Sequence, residues 1–400
     1  MVQRCLSFVY VRVHLRLDTS RGASYARRFA LAASRPNKDA TLPMNKSHRI
    51  RTGLVLAGVL AVTVLPSILR AQTYAVRWTG ATAEILGLSD DAESIGVSIN
   101  SSGQIAGYAH TSPWPSAVRW TGATEEVISP LGVGATGLGI NASGQIAGDS
   151  GGSAVRWTGT TAEVLGTLGG SSRGFGINDS GQVAGHSYIA GNAHAVRWTG
   201  TTPEDLGTLG FDTSYARGIN ASGQVVGWVQ NNGSIEAHAV LWNGTTAMDL
   251  GAGRAFGINS SGQIVGQVEG QLDFPFIYTN GTIYDLNTLL LPGSGVTLLH
   301  VDGNGGGIIN DLGQIAAFGH VEGEHGGLRG LRLDPVPNAN AYSVELLDLP
   351  DGWAAAVALG INESGQVAGY ALVPEPSSAI LMLGSGWICL LTGRRGRSLS

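Results

Sequence analysis

The chain has 400 residues, of which 61 are glycine and only 13% are charged. The glycines follow no Gly-X-Y period, which excludes a collagen, and the 43% apolar content is enough for a core, which excludes a disordered chain. Charge is unevenly placed: residues 72–376 hold 9 basic and 27 acidic side chains, net −18 with no lysine, a balance that repels nucleic acid and anionic lipid.

Residues 1–43 are arginine-rich and stand in front of a complete export signal, so we read them as a mis-assigned upstream extension and Met44 as the start. Residues 44–71 are a signal peptide. Lys46, Arg49 and Arg51 precede the apolar run from Thr52 to Leu69, and the small residue Ala71 closes it, which puts signal peptidase cleavage between Ala71 and Gln72. A spanning helix is the other reading of that run; Pro66 and the polar sequence behind it favour cleavage. Both cysteines, Cys5 and Cys389, fall in segments expected to be removed, so the exported part relies on packing without disulfides.

Three short elements then recur with a period of about forty residues. Gly-Ile-Asn-x-Ser-Gly-Gln is anchored at Asn100, Asn141, Asn178, Asn220, Asn259, Asn310 and Asn362. Ala-Val-Arg-Trp-Thr-Gly has its last core position at Trp78, Trp120, Trp157, Trp198, Trp242, Tyr278 and, degenerately, Leu333. An acidic-Leu-Gly segment follows, clearest at Glu84–Gly87, Glu163–Gly166, Asp205–Gly207 and Asp249–Gly251, with a weaker copy at Asp348-Leu349. Asn-x-Ser-Gly suits a tight hairpin, because glycine accepts positive φ and the Asn side chain caps its own turn. Four short strands per period is the size of one propeller blade, so seven copies predict an all-β, seven-bladed β-propeller, with a linear β-solenoid as the alternative. The repeat region, 72–372, opens with the second half of a period and closes with the first half, which predicts a ring closed by strands from both ends. Residues 287–306 and 320–345 stretch the late periods and read as longer loops.

The element set resembles the bacterial extracellular HAF repeat, most fully from His194-Ala195-Val196-Arg197-Trp198 through Asp205-Leu206-Gly207 to Gly218-Ile219-Asn220. Its His is present only at His194 and His238, and Val stands where that family has Phe. Residues 373–400 resemble the PEP-CTERM sorting signal of Gram-negative bacteria: Val373-Pro374-Glu375-Pro376, a mostly apolar segment, then Arg394, Arg395 and Arg397. That resemblance implies transient anchoring in the inner membrane and removal of the tail by exosortase. The trailing arginines independently suit retention at the cytoplasmic face.

Few residues carry candidate chemistry. His320, Glu322, Glu324 and His325 are the nearest approach to a metal site, imidazole and carboxylate being suitable zinc ligands. Asn178-Asp179-Ser180-Gly181 faintly resembles a calcium loop, but calcium needs several converging carboxylates and most copies carry none; no cofactor is assigned, with Ca²⁺ as the weaker option. Arg77, Arg119, Arg156 and Arg197 could line an anion tunnel, yet Leu241 and Ile277 replace them in later copies, which favours packing of the arginine stem. No catalytic residue is assigned. The expectation is an exported cell-surface or extracellular-matrix protein with a non-catalytic binding or structural role. Its expected partners are signal peptidase and exosortase during export, then exopolysaccharide or surface proteins. The alternative is a polysaccharide-acting enzyme with its site on the late-blade loops.

Overall fold

Each Asn-x-Ser-Gly copy makes the same turn. The glycines at 103, 144, 181, 223, 262, 313 and 365 all have φ between +74° and +80°, a conformation open to glycine at no steric cost. In the Asn220 copy the side-chain oxygen accepts from Gln224 N at 3.0 Å, and Nδ2 donates to Gln224 Oε1 at 2.9 Å. The residues after the glycine leave as a strand paired to the one that arrived.

The computed structural model describes residues 72–87, 93–111, 113–129, 133–244, 246–268, 273–303, 307–324 and 327–373. The upstream extension, the signal peptide with Ala71, the sorting residues Pro374, Glu375, Pro376, Arg394, Arg395 and Arg397, and His325 lie outside them. Among the described residues no helix is long and apolar enough to cross a membrane.

The described residues form seven four-stranded antiparallel sheets. Blades one to six occupy residues 94–127, 135–164, 172–205, 213–252, 254–285 and 296–346. Blade three shows the plan: an inner strand Ser172–Ile177, a second strand Val183–Ile189, a third Asn192–Thr199 and an outer one Thr202–Asp205. Blade seven takes its inner strands, Ala355–Ile361 and Val367–Val373, from one end of the repeat region and its outer strands, Gln72–Thr79 and Thr82–Ile85, from the other. Gln72 pairs with Val373 and Trp78 with Val367. The molecule is therefore a seven-bladed β-propeller with the shared closing blade that the offset of the repeats predicts.

Side chains of the repeat stitch blade to blade. The Nδ2 of each turn Asn donates to the backbone carbonyl of the next one, from Asn100 to Asn141 at 3.0 Å and onward around the ring. Asn362 returns to Asn100 at 2.9 Å, which closes the circle and excludes a linear solenoid. The arginines form clamps rather than a tunnel. Arg197 pairs with Glu204 on the outer strand and donates Nη1 to Gly223 O of the next blade at 2.7 Å. Arg77, Arg119, Arg156 and Arg332 do the same toward Gly103, Gly144, Gly181 and Gly365. Where the clamp is missing, apolar pairs replace it, Leu241 opposite Met248 and Ile277 opposite Tyr284.

The core lies between the sheets. Trp78, Trp120, Trp157, Trp198 and Trp242 are all at most 1% exposed, so they pack blades together and offer no sugar platform. The Leu of the acidic-Leu-Gly segment fills the same gaps: Leu86 of blade seven packs with Trp120 of blade one, and Leu206 of blade three with Trp242 of blade four. In blade six this slot is held by Leu347 rather than Leu349. His194 and His238 occur in two of the three blades with Asp before the Leu, and each imidazole meets that carboxylate, Asp205 at 3.0 Å and Asp249 at 2.9 Å. The stretched regions are not simply loops. Residues 287–306 contain part of a 3₁₀ turn and the inner strand Val296–His300, and 320–345 contains Arg329–Pro335 and most of Tyr342–Leu346.

Candidate functional site

The inner strands build the axis in layers. The residue before each turn Asn is isoleucine in all seven copies, at 99, 140, 177, 219, 258, 309 and 361, and this ring lines the floor of a cavity of about 230 Å³ on the Asn side. Each inner strand also slips register by one residue. Such a bulge redirects the side chain it leaves unpaired. In six blades that residue stands three before the Asn: Val97, Leu138, Phe175, Arg217, Phe256 and Leu359. The five apolar ones are buried, and Arg217 is the cation in this layer.

Blade six departs from the rule. Its inner strand ends at His300, opposite Phe318, and pairing resumes only at the Ile309–Ile315 bridge. The intervening segment carries Asp302 to the axis, where its charge acts on Tyr108 of blade one, Arg217 of blade four and Tyr370 of blade seven. A β-carbon on Gly303 would stand 2.7 Å from that of Phe256, so the same segment also presses on blade five.

Beyond this layer, on the side away from the Asn ring, a cluster of buried and half-buried side chains, here called the funnel, surrounds the axis. Paired positions on the inner and second strands supply its wall: Arg173 with His186, Tyr215 with Trp228, and Arg254 with Gln267. Cations and rings alternate. The Arg217 guanidinium lies 3.6 Å from the Phe175 ring centre and 4.7 Å from that of Trp228, with Arg173 5.4 Å from Phe175 and Arg254 5.3 Å from Trp228. These are cation–π distances. Tyr215 stacks on Trp228 at 5.2 Å and meets His186 at the same distance. Arg173 is held by Asp149 at 2.9 Å and by Thr136 at 3.0 Å.

The electrostatics follow from crowding like charges in a confined space. Burial pushes the Arg217 guanidinium down to about 9; Arg173 and Arg254 push the same way, and Asp302 and Tyr215 oppose them. It remains charged at neutral pH. Burial, reinforced by Arg217 and Arg173, pushes His186 from its ordinary 6.5 down to about 3. Between those two values the unfolded chain binds a proton that the folded chain refuses, so stability rises with pH across that window. Thermal melts from pH 7 to pH 4 are therefore expected to show a falling Tm, with a shallower fall in His186→Asn; equal slopes for the two proteins would refute this origin.

The Asn-side cavity differs in character. Its rim carries Asp179, Asp311 and Glu363 at the x position of the turns. Each carboxylate is already engaged by the preceding blade: Asp179 accepts from Ala142 N at 2.9 Å, Asp311 from Ser260 N at 2.7 Å, and Glu363 from Asp311 N at 3.1 Å. Burial, opposed by the Asp311 N–H and assisted by the Asp311 charge, raises the Glu363 pKa.

The residues expected from sequence are not gathered into one site. His320 sits opposite Leu298 on the second strand of blade six, Glu322 N donates to Gly295 O, and Glu324 is ion-paired with Arg329 at 2.5 Å. Among the described residues, no group of three or more His, Cys, Asp and Glu side chains is placed to hold a metal ion. Gln72, at the expected signal peptidase site, and Val373, the first residue of the expected sorting motif, are partners across the closing blade. Sequence reasoning missed the funnel. Its signal is that Arg173, Arg217 and Arg254 stand three or five residues before a turn Asn, outside the clamp position that uses five of the nine arginines of residues 72–376.

No protein-family model matches the sequence, and no curated protein matches it. Among solved structures, the chain is similar to a TolB candidate from Agrobacterium tumefaciens, with 12% identity and a TM-score of 0.42 over 76% of this chain and 99% of that one. It is also similar to TolB from Acinetobacter baumannii, with 14% identity and a TM-score of 0.38 over 68% of this chain and 67% of that one.

Proposed function

We propose that this protein is an exported repeat protein of the cell surface or extracellular matrix, processed by signal peptidase and exosortase, whose propeller binds its partners and does not transform them. The HAF-like repeats and the PEP-CTERM-like tail support the export route. One observation carries the binding role. The recurring residues are consumed by structure, in the Asn ring, the arginine clamps and the tryptophan core, while the residues that vary at the axis make a funnel of guanidinium and aromatic groups. Rigid scaffolds with a variable, convergent patch are binding surfaces. Matrix exopolysaccharide is the first partner class to test, with surface proteins next.

The intact mass and location of the mature protein in its native cells test the export route. A species beginning near Gln72 and ending near Pro376, at the surface or in the medium, is expected. A species that keeps the arginine tail in the inner membrane would overturn exosortase processing. Asp302 favours one second reading, a polysaccharide-acting enzyme, because it brings a carboxylate from a late blade to the axis. Glycosidic hydrolysis needs two carboxyl groups flanking the bond, so release of reducing ends from host polysaccharide, lost in Asp302→Asn, would decide for the enzyme.

A further inference from the structure

Among the donors near the axis, Arg217 Nη1 and Trp228 Nε1 are buried without a hydrogen-bond acceptor, the latter on a side chain only 7% exposed. Both groups can only donate. A buried donor without a partner is costly, and more so when charged; the packing tryptophans Trp157 and Trp242 also leave Nε1 unpaired, but Arg217 is charged, which makes its unpaired donor the costlier one. The other blades show that packing does not need it, since Val97, Leu138, Phe175, Phe256 and Leu359 fill the equivalent positions. Arg217 also lies against both Phe175 and Trp228, while Arg173 and Arg254 add positive charge nearby. All of this occurs in a protein whose mature region is otherwise strongly acidic.

We propose that the funnel around Arg217, Trp228 and Phe175 is a binding site for an oxyanion, specifically the carboxylate of a sugar-sized ring compound such as a uronic acid. The guanidinium and the indole N–H supply convergent donors for the oxyanion. The aromatic side chains around them add apolar surface beside the ring that carries it. A free inorganic oxyanion could use the same donors without using the rings. The inference rests on reading the propeller as a binding protein, and it adds the ligand class.

The test uses the full chain, exported and purified from its cells, with thermal melts and tryptophan fluorescence as readouts. The probes are sodium glucuronate, glucose, inorganic phosphate and sulfate. Glucuronate is expected to raise Tm saturably, as a ligand of the folded state does, and glucose to do nothing. Phosphate or sulfate acting as strongly as glucuronate would support the oxyanion site and assign its source to the free ion. Arg217→Gln is expected to weaken glucuronate at least about tenfold, the loss of a charged hydrogen bond, while Arg119→Gln at a distant clamp leaves the response intact. Arg254→Gln serves as a second variant if Arg217→Gln does not fold. No response to any anion, or a response undiminished in the folded variant, would overturn the proposal. The binding reading fails differently: glucuronate-containing oligosaccharide recovered in shortened form would overturn it while leaving the oxyanion site in place.

Discussion

Deleting residues 360–370 is expected to unfold all seven blades, with loss of the cooperative thermal transition and of most strand signal in circular dichroism. The segment supplies the second strand of the closing blade up to Tyr370, and with it the partners of Ala75, Val76, Arg77 and Trp78. It holds Ile361 and Val367, which with Trp78 form the core of that blade. It also holds Asn362, which accepts from Asn310 and donates to Asn100, so both the last link and the closing link of the ring are lost. Burial of large apolar side chains is worth about 1.5–3 kcal/mol each. Three of them, plus the opened ring, amount to most of a domain's total stability of about 5–15 kcal/mol. A variant that keeps a sharp transition and loses only a seventh of its strand signal would show the blades to be independent, and the ring dispensable.

Gly227→Ala is expected to cost about 3 kcal/mol or more, the upper range of overpacking. A β-carbon there would stand 1.8 Å from the carbonyl oxygen of Tyr215, and backbone on a neighbouring strand cannot turn aside. The inner strand would have to move, displacing Arg217 from the Phe175 and Trp228 rings it lies on. The equivalent glycines at 107, 148, 185, 266 and 369 meet an inner-strand carbonyl at 1.9–2.1 Å. Blade six is the control, because Ala317 occupies this place where the inner strand is interrupted after His300. Ala317→Gly is therefore expected to cost only about 1 kcal/mol, the usual backbone-entropy difference. Chemical denaturation of the two variants measures both values, and equal costs would show that the carbonyl contact is not the constraint.

The strands, their number per blade and the shared closing blade were legible because each rests on residues that recur. Asn, Gly and Trp at fixed offsets have one physical use apiece, a turn, a positive φ and an inter-blade filler. The funnel was not legible for the converse reason. Arg173, Arg217 and Arg254 occupy places where the copies disagree, and comparing copies draws attention to what they share. The bulge that directs Arg217 to the axis is a matter of register, with no residue type of its own. Blade six shows a third limit: Val296–His300 and Tyr342–Leu346 carry too little of the repeat to be recognised as strands, and the Leu slot falls at Leu347, two residues before the position that composition suggests.

The closing blade also has a consequence in time. Gln366, just before its second strand, reaches Thr79 of its third across 287 residues of chain, so no ribosome or translocation pore can release a finished ring before the last strands emerge. Blades one to six contain only local pairings and can form as they appear, whereas the first strands must wait. The entropy of that last closure grows only with the logarithm of the loop, about 0.6 kcal/mol for each doubling, so the delay is long but the thermodynamic penalty is small. Until it happens, Gln72–Ile85 is an unpaired edge that another copy could capture, and the interval between emergence and closure is when this protein is most exposed to swapping its clasp with a neighbour.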